Sequence, residues 1–350
     1  MVGPDGVVAL PWLVEPLRQA LRTRRAHALL IHGPQGVGQF ELALALAQGW
    51  LCEAAEGTPQ RSPPCGACGS CKLMHSRSHP DLLVVLPDAM REALGWSMES
   101  PGDDGAAEKT GKTKPSKEIK VDAVREVMAF AQTTASRGRA KVVVVHPAER
   151  MNAIAANALL KTLEEPPGGT RFVLSCAAPD ALLPTIRSRC QAVPLSAPPS
   201  AQAAQWLVGK GVDGALVLLS ATGGQPLEAL EWSQQGVDAE TWLRLPAFVA
   251  RGEAAALSNW PLPRLINALQ KLCHDTLCVA AGATPRYFPA SGLTPGVRVQ
   301  ALLEWARSLA ETARHAEHPW HAALMAESLV LQGQQALSTG ATAGHPKVAV

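Results

Sequence analysis

Strong charge and long apolar runs are both missing from this 350-residue sequence. The formal net charge is only +2, so composition indicates no strong preference for nucleic acid or membrane surfaces. No apolar run approaches the roughly 20 residues needed to span a bilayer. Residues 1–12 lack a basic region followed by an apolar block, so no signal peptide is expected. These absences make the cytoplasm the expected compartment and exclude a membrane protein.

The residues that are present predict a globular protein. Hydrophobic residues make up 47% of the sequence, and 350 residues are enough for two or three domains with a real core. In a reducing compartment, the eight cysteines are expected to be metal ligands or buried thiols rather than disulfides. Four of them give no metal-binding pattern and are expected to be buried thiols: Cys176, Cys190, Cys273 and Cys278.

A phosphate loop without its key residues organises the first part of the chain. Residues 28–32 form a short apolar run, residues 33–40 are glycine-rich, and residues 41–50 have a helical pattern. A strand, turn and helix of this kind is the setting of a Walker A motif, which ends in Lys and Ser or Thr. Gln39 and Phe40 stand at those two places and can neither neutralise a triphosphate nor hold a metal. The loop, with Gly33, Gly36 and Gly38, is therefore predicted to be degenerate and to bind no ATP.

A compact cysteine module follows this helix. Cys52, Cys65, Cys68 and Cys71 have the spacing C-x12-C-x2-C-x2-C, with Gly66 and Gly69 allowing a tight turn between thiolates. Four thiolates satisfy tetrahedral Zn²⁺ and leave no open position, so the site would be structural. The predicted module covers about residues 52–75. His75 or His79 could replace Cys52 as the fourth ligand.

Strands and helices alternate up to about residue 196. Apolar runs at 81–87, 141–145, 171–176 and 192–195 predict strands, and helical patterns cover 121–131 and 152–165. This alternation predicts a parallel, doubly wound sheet. Where a Walker B motif would supply an Mg²⁺-binding Asp, the sequence has His146, Pro147 and then Glu149, which makes metal and base chemistry doubtful here. Polar residues 88–118 predict a mobile surface loop; its Gly-Lys-Thr at 111–113 follows no strand and is rejected as a phosphate loop.

Only helical signals follow residue 196. Residues 197–236 predict a small helical lid, residues 237–337 an all-helical domain, and residues 338–350 a flexible tail. Two apolar stripes mark helices in the larger region. They are Leu262, Leu265, Ile266, Leu269, Leu272 and Cys273, and Val299, Leu302, Leu303, Ala306 and Leu309.

Several motifs together resemble the delta-prime family of bacterial DNA polymerase III clamp-loader subunits, a branch of the AAA+ family. The resemblance covers about residues 10–230. Beside the cysteine module, it rests on five segments: Leu29–Gly33, His79–Asp81, Val121–Glu126, Ala155–Pro167 and Leu183–Cys190. It implies an AAA+ domain in residues 1–196, with the helical lid after it and a collar domain in residues 237–337.

The resemblance also implies a role for Arg189. In this family, the arginine of Ser188-Arg189-Cys190 is an arginine finger placed in the ATP site of a neighbouring subunit, where it can accelerate hydrolysis by roughly 10³–10⁵. The residues alone favour a local role instead, in which Arg189 pairs with a nearby carboxylate or with a carbonyl at the start of the strand. Catalytic relatives carry an arginine at the start of a lid helix that contacts the γ-phosphate, and Leu227 stands at that place here.

The expected function is therefore that of a non-hydrolysing stator. Its expected partners are the catalytic gamma/tau subunits and the delta subunit, with the sliding clamp and primed DNA reached through the complex. Two alternatives stay open: a self-sufficient ATPase with an unusual loop, and a zinc-dependent DNA-binding protein. A first helix is predicted over residues 12–25. Its basic residues mark either a solvated helix end or a DNA-binding patch; they are Arg18, Arg22, Arg24 and Arg25. The helix at 152–165 has charged residues that are expected to line a subunit interface or to face solvent: Lys161, Glu164 and Glu165.

Overall fold

The computed structural model describes residues 1–23, 26–54, 63–96, 115–315 and 321–338. The chain divides into two compact units, Met1–Pro198 and Pro199–Val350, and each is described by itself. The predicted lid at 197–236 and collar at 237–337 fall almost entirely within the second unit, and their boundary stays a prediction. Three sequence predictions lie wholly or mainly outside the described residues: Arg24 and Arg25, the Gly-Lys-Thr at 111–113, and the tail at 338–350.

The first unit is built on a five-stranded parallel sheet with strand order β2-β3-β4-β1-β5. Every predicted strand is present, within two residues of its predicted ends, and the prediction of a parallel α/β sheet is confirmed. Runs of β-branched and apolar residues favour buried parallel strands because both faces of such a sheet are covered. The strands are β1 (Ala28–His32), β2 (Leu82–Val85), β3 (Val142–Val145), β4 (Arg171–Cys176) and β5 (Gln191–Pro194).

Helices cover the sheet. One hydrophobic core joins Leu30, Val143 and Phe172 of the strands to residues of α5 and α6, while α2 contacts β1, β3 and β4. Alternate residues of a strand point to opposite faces, so the central strands place buried side chains on both faces of the sheet, whereas the edge strand β5 is largely exposed. The helices of this unit are α1 (Val14–Arg22), α2 (Gln39–Leu51), α3 (Gly69–His75), α4 (Asp88–Arg91), α5 (Val121–Gln132), α6 (Ala153–Glu164) and α7 (Pro184–Arg187).

Helix α2 is the buried centre of this unit. Twelve of its 13 residues are buried, which is why its sequence is apolar on all sides rather than amphipathic. It packs against α1 and α3 as well as the sheet. Its buried Gln48 accepts a hydrogen bond from the Val2 backbone N–H (2.7 Å) and donates one to the Val2 carbonyl (3.0 Å). These bonds fix the first residues of the chain on α2.

Two local predictions need correction. The predicted helix at 12–25 is shorter, because Pro11–Leu13 form a 3-10 turn and α1 ends at Arg22. The predicted surface loop at 88–118 begins with the short helix α4. Its Asp88 lies in the first turn, where the positive end of the helix dipole interacts favourably with a carboxylate. Residues 97–114 of that loop lie outside the described residues. Among the described residues, no helix combines the length and apolar character needed to cross a bilayer.

The second unit is entirely helical in its described part, as predicted. Rings of Trp242 and Phe288 stack at 4.5 Å in its core, and Trp232 lies 5.2 Å from Trp242. The predicted stripe of α12 is confirmed in its core positions Leu265, Leu269 and Leu272. The helices are α8 (Ser200–Gly209), α9 (Ala215–Ala221), α10 (Pro226–Gln234), α11 (Ala239–Arg251), α12 (Leu262–Ala280), α13 (Val299–Arg314) and α14 (Ala322–Leu337).

A buried carboxylate closes the loop that follows α12. Asp275 is fully buried and accepts backbone N–H bonds from Arg286 (3.0 Å), Tyr287 (2.6 Å) and Phe288 (2.8 Å). A buried charge is tolerated only when it is fully hydrogen-bonded, and these donors meet that condition. The Asp275 side chain of α12 therefore holds the Pro/Gly-rich connection that follows this helix in place.

The four cysteines outside the module do not behave alike. Cys176 and Cys273 are buried, as predicted, and burial raises the pKa of each thiol to about 12. Cys190 is only partly buried, although burial of its sulfur also raises its pKa to about 12. Cys278 is also only partly buried, because it is five residues, or about 140° around the helix, beyond Cys273 on the core stripe. The prediction of a buried thiol is therefore confirmed for Cys176 and Cys273 and is wrong for Cys190 and Cys278.

Candidate functional site

The phosphate loop keeps its backbone geometry. Gly36 and Gly38 have φ angles of 75° and 106°, which favour glycine, and Gly38 forms the N-cap of α2. Gly33 is needed for a different reason, since a Cβ there would lie 2.0 Å from the carbonyl oxygen of Leu195. The loop is also held from outside, because the indole N–H of Trp12 donates to the Val37 carbonyl at 2.8 Å.

The side chain of Gln39 turns back onto the loop. Its amide nitrogen donates to the carbonyl oxygens of Gly33 (2.7 Å) and Pro34 (2.6 Å), and the residue is 6% exposed. A catalytic lysine at this place would instead reach the β/γ-phosphates. Gln39 therefore closes the loop by internal hydrogen bonds and brings no positive charge to it.

Two stacked rings fill the region where a magnesium ion would be held. Phe40, at the start of α2, stacks on His146, the residue after β3, with ring centroids 4.6 Å apart and an interplanar angle of 22°. The His146 Nδ1 lies 2.9 Å from the Ser175 hydroxyl. Burial lowers the pKa of His146 to about 4, so the ring is neutral at neutral pH. The hydroxyl and carboxylate that would ligate Mg²⁺ are replaced by an apolar contact.

Glu149, the acidic residue nearest to this region in sequence, has a structural partner. It lies in a 3-10 turn at Ala148–Arg150, and its Oε1 accepts a hydrogen bond from the backbone N–H of Ala177 at 2.8 Å. Glu149 therefore joins the segments that follow β3 and β4. In the second unit, Leu227 lies half-buried in the first turn of α10, where its apolar side chain has no means of binding phosphate.

Arg189 lies between α7 and β5 and pairs with a carboxylate of its own chain. Its Nε donates to Oε1 of Glu164 at 2.6 Å, its Nη2 also contacts that oxygen, and its Nη1 donates to the Thr185 carbonyl at 2.9 Å. The side chains of Arg189 and Glu164 are 30% and 49% exposed. The local carboxylate pairing considered from the sequence is therefore present, in a position open to solvent.

The four cysteines of the module converge as their spacing predicts. Their Sγ atoms all lie within 4.8 Å of one another, and those of Cys52 and Cys68 are 3.9 Å apart. A Zn–S bond of about 2.3 Å implies sulfur–sulfur distances of about 3.8 Å in a tetrahedron, so a metal ion fits this cluster. A hydrogen bond between the thiols of Cys52 and Cys71 lowers the pKa of Cys52 and raises that of Cys71, and burial raises the pKa of Cys71 further.

Backbone amides surround the sulfurs. The N–H of Cys71 and that of Glu53 each donate to the Cys68 sulfur at 3.4 Å, and the Cys68 N–H donates to Cys65 at 3.4 Å. Gly66 allows this turn with a φ of 71°, and a Cβ there would lie 1.7 Å from the Gly3 carbonyl oxygen. Such donors stabilise thiolates, the form that binds metals.

The alternative histidine ligands are not part of this cluster. Among the described residues, the group that contains the module's cysteines includes neither His75 nor His79. Both nitrogens of His79 have other partners: Nδ1 accepts from the Asp81 N–H and Nε2 contacts the Ser70 hydroxyl, each at 3.1 Å. The set Cys52, Cys65, Cys68 and Cys71 is therefore the one that the geometry favours.

Fold and loop together define a class. A parallel sheet of this strand order, with a glycine loop between β1 and α2 and an all-helical unit after it, is the architecture of an AAA+ protein.

Comparison with known proteins gives a narrower assignment. A family model described as "DNA polymerase III, delta subunit" matches residues 11–199, more than half of the chain. The DNA polymerase III subunit delta' of Escherichia coli is 33% identical over 283 residues, which are 75% of this chain and 76% of that protein. The chain thus belongs to the DNA polymerase III delta' family.

Other relatives are matched over smaller parts. The subunit delta' of Pseudomonas aeruginosa is 37% identical over 236 residues, or 64% of this chain, and the match spans 62% of that protein's length. The DNA polymerase III subunit tau of Salmonella typhimurium is 32% identical over 164 residues, which are 47% of this chain and 21% of the length of that protein.

Proposed function

We propose that this chain is a non-hydrolysing subunit of a DNA polymerase III clamp loader, where Arg189 completes the ATP site of a neighbouring subunit. The observation that carries the proposal is the closed phosphate loop. Gln39 is hydrogen-bonded to loop carbonyls, and Phe40 is stacked on His146. Lysine, hydroxyl and carboxylate are the groups that act on Mg²⁺-ATP in P-loop enzymes, and the corresponding positions here make internal contacts.

The position of Arg189 supports a role toward a neighbour. Its ion pair with Glu164 is partly exposed, and such pairs contribute only about 0–1 kcal/mol. A phosphate carrying several negative charges can therefore replace that carboxylate at little cost. The Thr185 carbonyl would still orient the guanidinium when the carboxylate is exchanged.

The partners follow from the family. Relatives named delta' and tau subunits of DNA polymerase III support a complex of related subunits. Within it, the proposal places gamma/tau as the ATPases and delta as the other neighbour. The sliding clamp and primed DNA would be reached through that complex. The helical residues 237–337 would form the collar that joins the subunits.

Arg189→Ala in the reconstituted loader tests the proposal, with the DNA- and clamp-stimulated ATPase rate as the readout. At the site that this chain completes, hydrolysis should fall by roughly 10³-fold or more. Arg187→Ala is the matched control, because Arg187 is two residues away, is exposed and pairs with Asp180. An unchanged rate in Arg189→Ala, with assembly intact by gel filtration, would contradict the proposal. Mg²⁺-ATP turnover by the isolated chain would contradict the non-hydrolysing assignment.

We also propose that the metal of the cysteine module is a structural Zn²⁺, held by Cys52, Cys65, Cys68 and Cys71. Four thiolates at tetrahedral spacing favour zinc and leave no position open for substrate. Elemental analysis of the purified chain should find one zinc per chain, and Cys65→Ser together with Cys68→Ser should abolish it. A full equivalent of zinc in that double variant would contradict the assignment.

A further inference from the structure

A polar cluster lies beside the cysteine module and is used by none of the functions above. Glu53 directly follows the ligand Cys52, and Ser70 directly precedes the ligand Cys71. The Ser70 hydroxyl, which is fully buried, donates to Oε1 of Glu53 at 3.0 Å. The two segments that carry the ligands are therefore bridged by a side-chain hydrogen bond.

Arg137 joins this bridge from a distant part of the chain, the loop between α5 and β3. Its Nε donates to Oε1 of Glu53 at 2.8 Å and to the Ser70 hydroxyl at 3.2 Å. Its Nη2 contacts the same Glu53 oxygen at 2.5 Å, so the guanidinium holds this carboxylate through two of its nitrogens. One guanidinium thus contacts the neighbours of two ligands that are 19 residues apart in sequence.

Gly69 shows how closely the ion pair packs on the module. A Cβ at this position would lie 3.0 Å from Nη2 of Arg137 and 3.3 Å from Oε2 of Glu53. The glycine, which sequence analysis assigned to a tight turn, has no positive φ and is needed for this close approach instead. The ion pair therefore lies directly on the Cys68–Cys71 turn.

The loop that carries Arg137 is in turn fixed to the sheet. Asp81, at the entry to β2, accepts backbone N–H bonds from Ser136 at 2.7 Å and from Arg137 at 2.9 Å. His79 connects the two halves of the cluster, since its Nδ1 accepts from the Asp81 N–H and its Nε2 contacts Ser70. The His79-Pro80-Asp81 motif, which the proposed function does not use, gains a structural role here.

We propose that Arg137 is a positioning residue of the metal centre, which couples metal binding at the four cysteines to the order of the loop before β3. The proposal rests on zinc occupying the module. Side chains that hydrogen-bond around a metal's ligands typically change its affinity by 10–100-fold when removed. Arg137 acts one step further out, on the residues adjacent to the ligands. Its guanidinium contacts both ligand segments, while its backbone is held by Asp81 at the entry to β2.

Zinc affinity of the full-length chain tests this, measured by competition with a chromogenic chelator. Arg137→Ala should weaken zinc binding by about 10-fold or more. Arg137→Lys should lie between wild type and alanine, because an ammonium keeps the charge without the planar donor pair. Arg125→Ala is the matched control, because the Arg125 side chain is 68% exposed and, in the described residues, pairs only with Asp122 on α5. The Arg125→Ala variant should bind zinc as tightly as the wild type does.

Hydrogen exchange gives a second readout in the wild-type chain. Removal of zinc should speed exchange of the Ser136 and Arg137 amides, which are bonded to Asp81, at least 10-fold. Wild-type zinc affinity in Arg137→Ala, or unchanged exchange of these amides without zinc, would overturn the coupling. Absence of zinc from the wild-type chain would overturn the zinc assignment itself, and the two failures are therefore distinguishable. Circular dichroism spectra matching wild type will show that the variants fold.

Discussion

The stack of Phe40 on His146 predicts that the first unit loses stability in mild acid. Burial holds the pKa of His146 at about 4, against 6.5 in an unfolded chain. Between these values, the unfolded chain binds a proton that the folded chain does not. By linkage, the contribution of His146 is complete above pH 6.5 and is lost as the pH falls toward 4.

The size of the effect follows from these two values. Each pH unit between them is worth about 1.4 kcal/mol, so the full loss is about 3.5 kcal/mol. From pH 7 to pH 4.5 the expected loss is about 2–3 kcal/mol, because the folded chain begins to bind the proton near its own pKa. That is a substantial fraction of the 5–15 kcal/mol by which domains are normally stable.

Comparison with His146→Asn isolates this contribution from other groups that titrate in acid. Asparagine stays neutral and can still hydrogen-bond to Ser175. Urea-dependent hydrogen exchange of peptides covering β1 and β3, corrected for the intrinsic rate at each pH, reports unfolding of this unit. The wild-type unfolding free energy should fall about 2–3 kcal/mol more than that of the variant between pH 7 and pH 4.5. Parallel pH profiles for the wild type and the variant would refute the conclusion that the stack with Phe40 keeps His146 neutral.

Three further substitutions have expected results. Asp275→Ala removes a fully buried carboxylate and leaves the backbone N–H groups of Arg286, Tyr287 and Phe288 without their acceptor. It should destabilise the second unit by about 3 kcal/mol, measured by urea unfolding; a loss below about 1 kcal/mol would contradict this. Gly66→Ala places a Cβ 1.7 Å from the Gly3 carbonyl and should lower the thermal midpoint and zinc retention together, whereas wild-type values would show that the turn relaxes freely. Glu164→Gln should change the unfolding free energy by less than about 1 kcal/mol, because its pair with Arg189 is half-exposed; a larger loss would show that the pair is structural.

Elements with a strong repeating pattern were predictable from the sequence. Four consecutive valines gave β3, and the spacing of Cys52, Cys65, Cys68 and Cys71 gave a cluster that the structure confirms. Local spacing carries such signals because the residues involved are close along the chain. The presence of Gln39 and Phe40 at the two positions that a Walker A motif gives to Lys and Ser or Thr was also evident from the amino-acid sequence.

Contacts between distant segments were not predictable. Arg137 lies 66 residues beyond Cys71, and no local pattern distinguishes it from exposed arginines such as Arg125. The stack of Phe40 on His146 likewise joins residues brought together only by the sheet. Helix α11 contains Pro246, although proline normally interrupts helices. Pro246 is buried, and tertiary packing compensates for the backbone hydrogen bond that it cannot donate. In each case, the deciding energy comes from packing partners that periodicity does not reveal.

The internal contacts of the closed phosphate loop would make it difficult to restore nucleotide binding by single substitutions. Replacing Phe40 by threonine alone would leave a cavity against His146, and loss of a buried phenyl ring costs about 3–5 kcal/mol. Replacing Gln39 by lysine alone would remove the amide that holds Gly33 and Pro34, without supplying a ligand for magnesium. Each of these two substitutions would thus lower stability without restoring both the lysine and the magnesium ligand of a working loop. If the chain serves a neighbour's ATP site as proposed, single substitutions would not easily return it to hydrolysis of its own.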